Sequence, residues 1–102
     1  MKTDVFTAVA DPTRRQIIQL LAQKELAVKD ISNHFPVSRP AISKHLRILR
    51  QAGLVEEHKQ GRYRYYMLRP EKLQDLRAWV TYFDAFWLDK LKILKEQVEK
   101  RT

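Results

Sequence analysis

The chain has 102 residues, a formal charge of +8, 44% hydrophobic residues and no cysteine. That length gives one domain, spanning 1–102, which buries only part of its apolar surface and leaves room for a second copy to cover the rest. The missing cysteines exclude disulfides, thiolate metal sites and thiol redox sensing, and no apolar run approaches the roughly 20 residues of a membrane span.

In chain order, the opening MKTDVF lacks the basic-then-apolar layout of a secretory signal, so a cytoplasmic location is expected. Residues 3–10 predict a short first helix with Val5, Phe6 and Val9 on one side. Asp11 can then cap, and Pro12 is preset for the first helical position, giving a second helix to about Gln23 with Ile17, Leu20 and Leu21 as its core face. A third helix over 27–34 contributes Val28 and Ile31; Ala27 is a poor cap, and Pro36 ends the helix.

The fourth helix follows Ser38, a suitable N-cap, and stops at Gly53, which can take the left-handed conformation. Ile42, Leu46 and Leu49 form its apolar face, opposite Pro40, Ser43, Lys44, Arg47 and Gln51. No acid occurs between Ser38 and Val55, so the polar face suits an anionic partner. A few residues separate the third and fourth helices, the spacing of a helix-turn-helix. Beyond Gly53 the period changes to two: LVEEHK and YRYYMLR flank QGR, a hairpin with Lys59, Arg62 and Arg64 around Gly61. Helix-turn-helix followed by a basic hairpin describes a winged helix.

Pro70 opens a last helix over 70–100, in which Leu73, Leu76, Val80, Phe83, Trp87, Leu91, Leu94 and Val98 recur at spacings of three and four. A single helix of that length is a rod of about 45 Å, longer than the domain can cover. Five aromatics fall between Trp79 and Trp87, and they are expected to pack in the subunit core rather than form a ligand cage. The fold class is thus mainly α with a small β-hairpin: about five helices and a two-stranded wing.

The charge is localised. Residues 38–69 hold eight Lys and Arg against two Asp and Glu, whereas the segments on either side are nearly balanced. A patch spanning a helix and a hairpin fits nucleic acid better than a membrane surface, which favours one basic amphipathic helix. No enzyme is expected: there is no nucleophile and base set, Gly53 and Gly61 are both used in turns rather than in a phosphate loop, and Asp84 and Asp89 do not share a face. His34, His45 and His58 form no pair with metal-ligand spacing, so neither a metal nor a cofactor is expected.

FTAVADPTRRQIIQLL, ELAVKDI, SRPAISKHLRILRQAGLV and GRYRYYMLRPE resemble in turn the opening helices, third helix, recognition helix and wing of the ArsR family of bacterial winged-helix repressors. The resemblance runs from Phe6 to about Leu94. It implies a homodimer packed through the first and last helices, binding to imperfect inverted repeats, and repression relieved by an inducer. Two departures bear on the inducer. Ala27 and Lys29 stand where metal-sensing relatives carry a Cys-x-Cys pair, and no histidine follows His58, where other relatives bind zinc with Asp and His on the last helix. An inducer, where one acts, is expected to be an apolar small molecule near Trp79–Trp87 or a protein partner.

Carried over residue by residue, the family's base-edge positions are Arg39, Pro40, Ser43 and Lys44. Ser38, Arg47, Lys59, Arg62 and Arg64 are placed for the DNA backbone. Val5, Phe6, Val9, Trp79, Phe83, Phe86, Trp87, Leu91 and Leu94 are the expected dimer contacts. His45, flanking Leu46, is expected to be a packed, hydrogen-bonded histidine. The alternative to a dimeric DNA-binding repressor is a winged helix used as a protein-interaction module, docking through its aromatic last helix. Salt separates the two, because phosphate binding weakens steeply with salt and apolar docking does not.

Overall fold

The computed structural model describes residues 3–101. Its elements are α1 (Val5–Ala8), α2 (Pro12–Leu21), β1 (Leu26–Ala27), α3 (Val28–Ser32), α4 (Arg39–Gln51), β2 (Val55–Gln60), β3 (Tyr63–Leu68), a 3₁₀ turn (Pro70–Lys72), α5 (Leu73–Thr81) and α6 (Asp84–Lys100).

The expected first helix, 3–10, shortens to four residues for identifiable reasons. Asp4 caps it from outside, accepting from the Thr7 N–H at 2.7 Å. Its last carbonyls are drawn off by side chains of α2: Arg14 donates to the Ala8 and Thr7 oxygens at 2.6 and 3.3 Å, and Arg15 to Val9 at 2.6 Å. The Asp-Pro-Thr-Arg-Arg run therefore both starts α2, where Asp11 accepts from the Arg14 N–H at 3.1 Å, and fastens α1 to it.

A single core lies among α1 to α4 and the sheet, with Ile17, Ile31, Ile42, Leu46, Leu49 and Leu54 fully buried. Val5, expected at a dimer contact, is 4% exposed and is used inside the core of its own chain. The strand order is β1-β3-β2, all antiparallel, so the wing belongs to a three-stranded sheet rather than the two-stranded hairpin expected. Leu26 and Ala27 pair with Tyr66 and Tyr65. Two residues carry no readable period, and this pairing is a tertiary contact that ties α3 to the wing. It also starts α3 at Val28, one residue later than expected.

The last helix also differs from expectation. Instead of one rod over 70–100, a 3₁₀ turn leads into two helices that break at Tyr82 and Phe83, so that the described residues hold six α-helices where about five are expected. The chain turns there through a bond from the Phe83 N–H to the Val80 oxygen at 3.0 Å, and α6 restarts with Trp87 N–H on Phe83. Neither proline nor glycine marks the break. It sets the Phe83 ring edge-on to Trp79 at 5.3 Å and to Tyr82 at 5.2 Å, the preferred geometry for aromatic pairs. Leu73 and Leu76 of α5 pack on the core, whereas every residue from 84 to 101 is exposed and the molecule extends to 66 Å. No helix of the described residues is long and apolar enough to cross a membrane.

Candidate nucleic-acid interface

Both ends of α4 are fixed by local chemistry. Ser38 Oγ accepts from the Ala41 N–H at 3.3 Å, and Pro40 lies in the first turn, where no intrahelical N–H is required. At the far end Gly53, at φ +79°, donates to the Arg50 oxygen, and Leu54 donates to Leu49, both at 3.0 Å. These are the paired bonds of a Schellman stop, and an L side chain at that φ would be strained. Ile42, Leu46 and Leu49, each fully buried, set the roll of the helix. Pro40, Ser43, Lys44 and Arg47 are consequently held outward.

In the wing, Gly61 at φ +64° makes a two-residue turn with Arg62. The register opposes Glu57 to Tyr66, Lys59 to Arg64, His58 to Tyr65 and Gln60 to Tyr63. Alternation puts the first two pairs on one face and the last two on the other. On the latter, His58 meets Glu25 and stacks on Tyr65 at 5.9 Å.

The interval between α4 and the sheet is a cleft of about 490 Å³, where Pro40, Ser43, Lys44 and Arg47 of the helix come together with Arg64 of the wing. Its one acid is Glu57. That carboxylate accepts from Tyr66 Oη at 2.7 Å and Arg50 Nη1 at 3.0 Å, with Arg64 Nε at 3.7 Å. Burial first, and then the bond to Glu57 and its charge, push the Tyr66 phenol up to about 12. The sequence alone does not single out Glu57, because an acid in a basic strand looks like ordinary surface. Only the register reveals that it shares a face with Tyr66.

Arg39, expected at base edges, lines a second depression with Arg62 and Arg64 and with Lys29 of α3. Lys59 lines neither cleft, and lies across the ladder from Arg64. Ser38 uses its hydroxyl as the cap. His45 accepts from Arg14 Nη1 at 3.2 Å through Nδ1, which puts its own proton on Nε2, and Asp11 lies 4.0 Å away. Burial raises the Asp11 carboxyl, but the Arg14 and Thr13 N–H groups and the charge of Arg14 outweigh it and leave it below its usual range.

Away from this surface, Trp79, Val80, Phe83, Phe86 and Trp87 line an apolar depression of about 360 Å³, and Phe6 of α1 meets Trp79 edge-on at 6.0 Å. Val9 is half-buried, whereas Leu91 and Leu94 stand exposed on α6. Among the described residues no group of three His, Cys, Asp or Glu side chains is placed to hold a metal ion.

Comparison with known proteins agrees with this geometry. The model for bacterial regulatory proteins of the arsR family matches residues 11–57. The chain is 44% identical over 80 residues to the transcriptional repressor SdpR of Bacillus subtilis, spanning 78% of this chain and 89% of that protein. It is 46% identical over 82 residues to the HTH-type transcriptional regulator Rv2034 of Mycobacterium tuberculosis, spanning 80% and 74%. Among solved structures, a possible transcriptional regulator for arsenical resistance superposes with a TM-score of 0.69 at 50% identity, covering 88% of this chain and 91% of that one.

Proposed function

Because the chain belongs to the arsR family of bacterial regulatory proteins, DNA-binding transcriptional regulators and not enzymes, we infer that it acts as a homodimeric repressor on an inverted-repeat operator. The observation that carries this reading is the cleft between α4 and the wing, where Lys44, Arg47 and Arg64 accompany Ser43 on outward faces fixed by a buried core. Cations on two elements straddle a duplex backbone, while Ser43 and Lys44 at the start of the helix meet base edges in the major groove, with Pro40 supplying shape. Arg47, Arg62 and Arg64 hold phosphates. Repression is inferred from the likeness to the transcriptional repressor SdpR, 89% of whose length this chain covers.

The dimer rests on exposed apolar area. Trp79, Phe86 and Trp87 are each half-exposed or more, as are Leu91 and Leu94, and together with Phe6 they make one stripe along α1, α5 and α6. Large aromatic groups left in water are costly, and a second copy related by a two-fold axis buries them on both sides at once. The same two-fold axis presents two α4 helices to two half-sites. The place of action is the cytoplasm, where the chromosome lies.

The test is to pass fragmented DNA of the source genome over purified protein and sequence what is retained. Fragments sharing an inverted repeat, with half-sites about one helical turn apart, are the expected result. Retention without a common sequence, or retention that does not weaken with salt, refutes the reading in favour of protein docking.

A further inference from the structure

Four cations from four different elements surround one depression of about 420 Å³: Lys29 of α3, Arg39 in the first turn of α4, Arg62 in the wing turn and Arg64 of β3. None of the first three makes an ion pair among the described residues, and Arg64 has only its 3.7 Å approach to Glu57. The sheet adds a fifth charge beside them, for Lys59 lies directly opposite Arg64. Like charges opposed in an antiparallel ladder weaken it. The fold thus gathers positive charge at a cost to its own sheet and supplies almost no acid to offset it, the condition under which an anion from outside is held. Three of the four groups are guanidinium forks, which match the oxygens of a phosphate.

We propose that this depression is a phosphate seat, filled in the DNA complex by a phosphodiester of the backbone. Lys29 is then a DNA contact from outside both the recognition helix and the wing, and Arg39 grips the backbone instead of reading a base. The β1–β3 pairing is what makes this possible, since Leu26 and Ala27 on Tyr66 and Tyr65 bring α3 against the wing. The proposal rests on the DNA-binding reading above, adds Lys29 to it and moves Arg39 from base edge to backbone.

A phosphate can come from the duplex or from a free polyphosphate, and two arms separate them. In the first, Lys29→Gln, Arg39→Ala and Arg62→Ala are titrated against operator and scrambled duplexes at several salt concentrations. Lys29 and Arg39 are exposed, so circular dichroism should find the fold intact. Each variant is expected to bind both duplexes several-fold more weakly by the same factor, with the salt slope smaller by about one. In the second arm, inorganic tripolyphosphate is titrated calorimetrically into wild type and Lys29→Gln at fixed ionic strength, and absence of saturable heat in both assigns the seat to the duplex. Saturable heat lost in Lys29→Gln, together with an unchanged DNA slope, overturns the duplex as occupant. An unchanged slope for Lys29→Gln beside a smaller one for Arg62→Ala overturns the seat while leaving DNA binding intact. Loss of operator preference in Arg39→Ala overturns its backbone role. Wild type showing no salt-dependent DNA binding sinks the underlying reading and the seat with it.

Discussion

Replacing Glu57 by Gln removes one negative charge from the cleft between α4 and the wing and keeps an oxygen in place, so its effects on stability and on DNA binding should point in opposite directions. The Tyr66 hydroxyl bond at 2.7 Å changes from a charge-assisted to a neutral one, a loss of about 0.5–2 kcal/mol. The 3.0 Å pair joins a carboxylate that is 18% exposed to an arginine that is 60% exposed, and screening limits it to about 0.2–1 kcal/mol. Arg64, at 3.7 Å, adds less. The variant should therefore lose roughly 1–3 kcal/mol, and each kcal/mol lowers Tm by about 4–8 °C in a domain of this size. Arg50 and Arg64, no longer drawn onto Glu57, become available to phosphates. Anisotropy titrations should find operator and scrambled duplexes bound more tightly by a similar factor, with a salt slope steeper by about one to two. A lower Tm with an unchanged slope would refute the reasoning, since Glu57 would then serve the fold alone and the two arginines would lie out of reach of the backbone.

The division of labour between helix and wing is open to the same titration. Ser43→Ala and Lys44→Ala should each cost about 1–3 kcal/mol on the cognate site and relax its preference, whereas Arg62→Ala should weaken both duplexes alike; the reverse pattern would give base reading to the wing. Wild type should sediment as a dimer at micromolar concentration and the Phe86→Ala, Trp87→Ala double variant as a folded monomer, because each ring that a partner covers is worth roughly 1.5–3 kcal/mol. A well-folded wild-type monomer would remove the dimer. Tyr66, raised to about 12 from an ordinary value of 10.0, stabilises the fold fully below pH 10, and that contribution is lost as pH rises through about 12. Ultraviolet titration should therefore find one phenol ionising late, a feature that Tyr66→Phe abolishes.

What the sequence made legible follows from where the information is local. Ser38 and Gly53 act through bonds to residues three positions away and Pro40 through its fixed φ, and the ends of α4 fall where they place them. Its core face is equally readable, since Ile42, Leu46 and Leu49 recur at helical spacing and all are fully buried. The wing turn follows from Gly61 for the same reason. By contrast β1 is two residues long and exists because Tyr65 and Tyr66, almost 40 positions later, offer their backbone to it. No window of residues contains that fact. Lys29 shares the difficulty: its neighbours in space come from α4 and the wing, so its sequence surroundings suggest only a solvated helix face.

The break at Tyr82 and Phe83 is a different kind of failure. A stripe at spacings of three and four reads as one helix whenever the helix has something to lie on, and nothing between Pro70 and Lys100 contradicts it. Among the described residues, however, only Leu73 and Leu76 of this stretch reach the core, so beyond Val80 no packing within the chain rewards a continuous rod. The aromatic side chains then satisfy one another, and the chain bends where the Phe83 ring meets those of Trp79 and Tyr82. The periodicity was a record of apolar faces, and α6 has such a face with no partner inside its own chain. In the dimer proposed above, that face and the break are parts of one surface: the bend lets α5 stay on the core beside Phe6 while α6 leaves it, carrying Phe86, Trp87, Leu91 and Leu94 out to a second copy.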